Sequence, residues 1–162
     1  MAAGKGHKGG KENKPGLPNI QNRQARHEYH ILESFEAGIV LLGSEIKSIR
    51  EGKVNIGDAY ARIMNGEAWI IGMNIQPYRN INTFDPYDPT RTRKLLLRRK
   101  QIEKLHADTR EKGLTLIPLK IYFKNGMAKM ELGLGKGKKL HDRREDIKER
   151  DAKREIQRAM KR

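Results

Sequence analysis

The chain has 162 residues, 36% of them hydrophobic and 34% charged, with a net charge of +15. That composition supports one small core with appendages and is too apolar for a wholly disordered chain. The absence of cysteine excludes a disulfide framework and thiolate metal sites. No apolar run approaches the ~20 residues of a membrane helix, and no apolar leader opens the sequence, so a cytoplasmic protein with no membrane partner is expected.

Charge is concentrated at the ends. Residues 1–29 carry +4, residues 30–135 carry +5, and the last 27 residues carry +6. A body with two basic extensions is the footprint of a polyanion binder, most often nucleic acid, with acidic membrane or protein surfaces as the alternatives.

Residues 1–21 read as a flexible basic arm of Gly, Lys, Asn and Pro, in which His7 has no second ligand beside it. From Tyr29 the alternation becomes that of a strand, with Tyr29, Ile31, Glu33 and Phe35 on one face. "GSEIKSIREGK" reads as a short helix with Ser44 as its cap and Gly52 as its stop. Asn65-Gly66 and Asn125-Gly126 each separate two strand-like runs, the strongest short hairpin signal. Between the hairpins lies "NTFDPYDPTRTR", whose Asp85 and Asp88 suit turns. A helix follows, with Leu97, Ile102, Leu105 and Thr109 along one side and Gly113 as its stop. This order predicts a mainly β protein: a small antiparallel barrel of the oligonucleotide-binding type over 22–135, with about six strands and two flanking helices. A split β-α-β RNA-binding sheet is the competing architecture.

No arrangement of residues proposes catalysis. The five histidines are scattered and no phosphate-binding glycine loop of the NTPase kind is present, so a non-enzyme without metal or cofactor is expected. Binding features are plainer. "RTRKLLLRRK" sets Arg91, Arg93, Lys94, Arg98, Arg99 and Lys100 around three leucines; it reads as the start of a solvated helix, with Leu95 and Leu97 in the core. Mutual repulsion among its cations would be relieved by phosphates. "NRQARHEY" places Arg23, Arg26 and His27 beside Tyr29, planar groups suited to stacking on unpaired bases.

Residues 136–162 form a basic tail in which acids are threaded through the bases. "GLGKGKK" reads as a flexible exit from the last strand. Asp142 and Glu145 have capping-box spacing, and Asp146–Arg150 and Glu149–Lys153 are i, i+4 pairs. The apolar side is only Ala152, Ile156, Ala159 and Met160, far short of a core-facing stripe. A tail disordered when free and helical when bound is expected.

"NRQARHEYHILESFEAGIVLLGSEIKSIREGK", "DPTRTRKLLL" and "GKGKKLHDRR", in this order, resemble the small protein B family, the bacterial SsrA-binding proteins of trans-translation. The resemblance covers roughly residues 22–162 and agrees with the barrel. It implies binding to the tRNA-like domain of transfer-messenger RNA (tmRNA) through Asn22, Arg23, Arg26, His27, Glu36, Leu96 and Lys129, to which the basic-cluster reading adds Arg91 and Arg93. It implies delivery of the alanyl-charged RNA with elongation factor Tu to a stalled 70S ribosome. There the tail, with Lys138, Lys139, His141, Asp142, Arg143 and Arg144, would meet small-subunit ribosomal RNA at the decoding centre and in the vacant mRNA channel. Arg143 stands where the family usually has lysine, replacing a compact ammonium with a planar fork.

Overall fold

Two Asn-Gly pairs set the architecture. Asn65 and Gly66 have φ of 51° and 73°, and Asn125 and Gly126 have φ of 51° and 76°, the left-handed conformations that a two-residue type I′ hairpin requires. The computed structural model describes residues 16–79 and 86–161, with the backbone only at Leu140 and His141. His7, Asp85 and the first fifteen residues of the expected arm lie outside the described residues.

In chain order the elements are β1 (Ile20–Gln21), α1 (Ala25–Glu28), β2 (Tyr29–Ile39), α2 (Gly43–Arg50), β3 (Val54–Asn55), β4 (Tyr60–Met64), β5 (Glu67–Ile71), β6 (Asn74–Ile75), β7 (Arg93–Leu96), α3 (Arg99–Glu111), β8 (Thr115–Lys124), β9 (Met127–Gly137) and α4 (Leu140–Met160). The hairpins are β4–β5, closing at Met64 and Glu67, and β8–β9, closing at Lys124 and Met127. The order β8-β4-β5-β7-β2-β9 returns to β8, so six antiparallel strands close on themselves. Closure leaves those strands without an open edge. β1 lies along β8 beyond the point where β4 leaves it, and β3 pairs with β6 in a separate ribbon.

The interior is filled by alternate residues of these strands, among them Ala37, Ile70, Leu95, Leu116, Ile121, Met130 and Leu132, joined by Ile49 from α2 and Leu105 from α3. Both helices therefore use one apolar stripe to cover the barrel. A second, smaller cluster lies where α1 covers β8, built from Ala25, Ile117 and Leu119.

Several expectations are corrected. The arm does not stay free up to residue 21: Leu17 and Ile20 pack against the core, and β1 takes up hydrogen bonding offered by β8. "GLGKGKK" is not a loose exit. Lys136 and Gly137 are in register with His30 and Tyr29, so the barrel ends at 137 rather than 135. "RTRKLLL" holds a strand, β7, and the helix begins only at Arg99, although Leu95 and Leu97 do join the core. Ser44 lies inside α2, which starts from Leu42, whose backbone N–H donates to Glu45 at 3.1 Å. In α4 the start moves ahead of Asp142: Lys139 is the cap and its N–H donates to the Asp142 carboxylate at 3.3 Å.

Candidate nucleic-acid interface

Barrel closure turns alternate residues of β2, β8 and β9 outward, and the register aligns them. Gly38 of β2 faces Leu96 of β7 on one side and Lys129 of β9 on the other, and Lys129 faces Tyr122 of β8. Two residues along, Glu36 faces Glu131, which faces Lys120. The structure thus brings Glu36, Leu96 and Lys129, distant in sequence, onto one outer surface. Leu96 is 54% exposed and leans over Gly38, where a Cβ would come within 3.2 Å of the Leu96 Cβ.

Sequence reasoning missed Lys120, Tyr122 and Lys124. Their signal was present as a basic-aromatic-basic alternation in β8, which period 2 places on one face. Lys120 lies 5.3 Å above the Tyr122 ring and 3.1 Å from Glu131. The Tyr122 hydroxyl donates to Glu36 Oε2, and Lys124 Nζ stands 3.4 Å from Oε1. The Tyr122 bond holds the Glu36 carboxyl below its ordinary value, against a smaller upward push from burial and with help from Lys124 and Lys129. Burial and the Glu36 charge raise the Tyr122 phenol. A carboxylate anion bonded to a neutral hydroxyl is therefore the resting state of the pair.

The same side of the molecule continues onto α1. Arg23 and Arg26 are exposed, His27 is half-buried, and a hollow of about 490 Å³ opens between Arg23, Arg26, Lys120, Glu131 and Arg150. Asn22 also lines this hollow, but its side chain is committed to the fold. It is 6% exposed; its amide donates to the carbonyls of Ile56 at 3.2 Å and Pro118 at 2.9 Å, and its Oδ1 accepts from the Ala25 N–H at 3.2 Å. It fastens the start of α1 to the barrel and so positions Arg23 and Arg26.

The expectation for Arg93 is corrected. Its side chain has no exposure, and its guanidinium donates to Glu45 at 3.2 Å and to the carbonyls of Met73, Arg91 and Pro89 at 2.8, 3.0 and 3.0 Å. A cation so enclosed reaches no phosphate. Arg91 is partly exposed but makes a bidentate pair with Glu45, both bonds 2.7 Å. Burial pushes the Glu45 carboxyl up, and Arg91, the Leu42 N–H and Arg93 outweigh it, so the net direction is down.

At the other end of the surface the tail residues divide. Lys138 is only 7% exposed in its side chain and binds Asp146. Its Nζ also donates to the Arg26 carbonyl at 3.0 Å, and its backbone N–H donates to the Glu28 carbonyl at 2.8 Å. The Lys138 ammonium lowers the Asp146 carboxyl. Asp142 meets His30 at 3.5 Å. Lys139 and Arg144 are exposed and Arg143 is half-buried; the His141 side chain lies outside what is described. The expected Glu149–Lys153 pair forms at 2.7 Å, and from residue 147 to 161 the helix is exposed throughout.

Comparison with known proteins places these features in context. The family described as SmpB protein matches residues 19–162. An SsrA-binding protein of Pelotomaculum thermopropionicum is 59% identical over 84% of this chain and 88% of its own length. One from Thermosynechococcus vestitus is 56% identical over 84% and 90%. A solved structure described as "tmRNA-SmpB: a journey to the center of the bacterial ribosome" contains a similar chain. That chain has a TM-score of 0.63 and 48% identity, over 76% of this chain and 86% of that one.

Proposed function

The chain belongs to the SmpB family, and from that premise we propose that it is an RNA-binding adaptor of ribosome rescue, with tmRNA and the bacterial ribosome as partners and the cytoplasm as its place of work. The observation that carries this reading is the outer surface on which Lys124 and Lys129 lie beside Glu36 and Leu96 and which runs through Glu131 and Lys120 to the hollow that Arg23 and Arg26 line. Cations along such a surface meet the phosphate backbone, while planar and acidic groups meet unpaired bases, the combination that suits a folded RNA with loops rather than a plain duplex. The tRNA-like domain of tmRNA is such an RNA.

The proposal extends to the tail. In it, α4 serves the ribosome: Lys139, His141, Asp142, Arg143 and Arg144 meet the decoding centre, and the exposed remainder lies in the empty mRNA channel. Delivery occurs with elongation factor Tu and involves no catalysis by this chain. A helix with so little apolar surface to bury is marginal in water. Its distal part is therefore disordered in the free protein and ordered against ribosomal RNA.

A competition gel shift tests the first part. The complex with the tRNA-like domain should resist excess bulk tRNA and duplex RNA; equal competition would reduce the protein to a nonspecific nucleic-acid binder. Truncation after Lys139 tests the second. Affinity for tmRNA should stay within about threefold while rescue of stalled ribosomes is lost; a collapse of RNA binding would place the tail on the RNA instead.

A further inference from the structure

The tail meets the barrel through attachments that differ in kind. Lys138 is enclosed, with 7% of its side chain exposed, and its Nζ and N–H bond carbonyls of α1. His30, on β2, is more open. Its side chain is 47% exposed, and its Nε2 meets Asp142 Oδ2 at 3.5 Å. The same oxygen accepts the Lys139 N–H that starts α4, at 3.3 Å. One carboxylate therefore caps the helix and ties it to the barrel. At 3.5 Å the His30 contact is at the outer limit of a hydrogen bond and works mainly through charge. A second carboxylate of α4 shares it: Lys138 lowers the Asp146 carboxyl most, and His30 adds to that pull. The cation beside His30 on the barrel is Lys136 of β9, in register with it and exposed, which opposes a charged imidazole and is itself opposed by the two carboxylates.

Histidine is the side chain whose charge ordinarily changes between about pH 5 and 8. While the imidazole carries its second proton, His30 attracts both Asp142 and Asp146. Once neutral, it holds neither by charge, and the Lys138 anchor remains. Asp142 also belongs to the segment proposed above to meet the decoding centre, so the barrel and the ribosome compete for one carboxylate. We propose that His30 is a proton-controlled latch for the tail: charged, it parks Asp142 and the first two turns of α4 on the barrel; neutral, it releases them to the ribosome about the fixed anchor at Lys138. This inference rests on the reading that α4 serves the ribosome. It adds the residue that holds the tail beforehand and the condition that lets it go.

The chain has no cysteine, so a nitroxide on Lys148→Cys labels full-length protein at one place. Paramagnetic broadening of the Arg26 and Glu28 amides in α1 then measures how much of the tail is parked. The ratio of parked to released tail should fall about threefold between about pH 5.5 and pH 8, the scale of an exposed ion pair. In the same labelled background, His30→Gln should behave at both pH values as the parent does at the higher one. His30→Lys, whose charge is fixed, should behave as the parent does at the lower one. A pH response that survives in His30→Gln belongs to another of the five histidines and overturns the latch, as does a His30→Lys protein that still titrates like the parent. In reconstituted rescue at about pH 7.5 with saturating tmRNA, His30→Lys should engage stalled ribosomes about threefold more slowly than His30→Gln; equal rates would overturn the competition with the ribosome. A parent protein that titrates as expected yet rescues no ribosome refutes the functional reading and not the latch.

Discussion

Replacing Glu45 by Gln tests whether the cations of the 91–93 segment serve the fold. Both carboxylate oxygens are saturated: Oε1 accepts from Arg91 Nε at 2.7 Å and Arg93 Nε at 3.2 Å, and Oε2 accepts from Arg91 at 2.7 Å and from the Leu42 N–H at 3.1 Å. The Glu45 and Arg93 side chains have no exposure. An amide in this place turns one oxygen into a donor facing donors and leaves the Arg93 charge enclosed without its counter-ion. Removing one partner of such a pair costs about 3–5 kcal/mol. Three backbone carbonyls still hold Arg93, which sets the expectation at the low end, about 3 kcal/mol. That is a large part of the roughly 5–15 kcal/mol that keeps a domain folded.

Trp69, the single tryptophan, lies half-buried on β5 opposite Lys94 and reports unfolding in urea. The midpoint should fall with an unchanged slope. Arg93→Met should be damaging alone, and the double variant Glu45→Met/Arg93→Met should recover much of the loss, because an apolar replacement of both partners removes the unpaired charge. Acid provides an independent check. The folded carboxyl lies below its ordinary value of 4.5, so its contribution is complete above about that pH and is lost as pH falls through the lower folded value. The parent should therefore lose stability below pH 4.5 more steeply than the double variant. A Glu45→Gln protein within 1 kcal/mol of the parent, with no change in acid sensitivity, would refute the argument.

Two further outcomes separate contact from support. Lys124→Ala and Lys129→Ala should each lower the slope of log affinity against log salt by about 0.7–0.9, the release expected for one phosphate, while Arg93→Met leaves the slope unchanged; equal slopes in all of them would remove the two lysines from the interface. Asn22→Ala strands the buried carbonyls of Ile56 and Pro118 and should cost about 1–3 kcal/mol in urea unfolding, with RNA affinity recovering in conditions where the variant is fully folded; an unchanged midpoint with lost affinity would make Asn22 a direct RNA contact after all.

The legible parts of the fold were those carried by local chemistry. Asn-Gly at 65–66 and 125–126 requires positive φ, and hairpins formed there. The apolar stripe of α3 and its stop at Gly113, with φ of 62°, were equally plain. What could not be read was decided by partners far along the chain. Nothing local tells that Arg93 turns inward while Arg91 stays half-exposed, because the cause is a carboxylate 48 residues earlier. β7 was mistaken for the start of a helix because "RTRKLLLRRK" has no alternation, and pairing with β5 and β2 overrides that. The site was legible only in pieces. Glu36, Leu96 and Lys129 came from resemblance, and barrel closure supplied the reason they share a face. Tyr122 was hidden because its importance lies in a bond across an intervening strand.

Charge count and charge use therefore part company in this chain. Of the cations that made it look like a polyanion binder, Arg93 is spent in the interior, Arg91 is held on Glu45, and Lys138 is committed to the junction between barrel and tail. The Lys138 anchors are instructive. It is bonded to the Arg26 and Glu28 carbonyls of α1 and to Asp146 of α4, so one ammonium and one N–H fix the start of the tail to the turn that presents Arg26. Once fully ordered, a helix of 21 residues extends about 30 Å, and its direction is set within its first two turns by this clamp and by the Asp142–His30 contact. If α1 is gripped by RNA, the same clamp fixes where the tail leaves that RNA. In an adaptor, the orientation of the distal cations would then be transmitted through Lys138, with their own number mattering less.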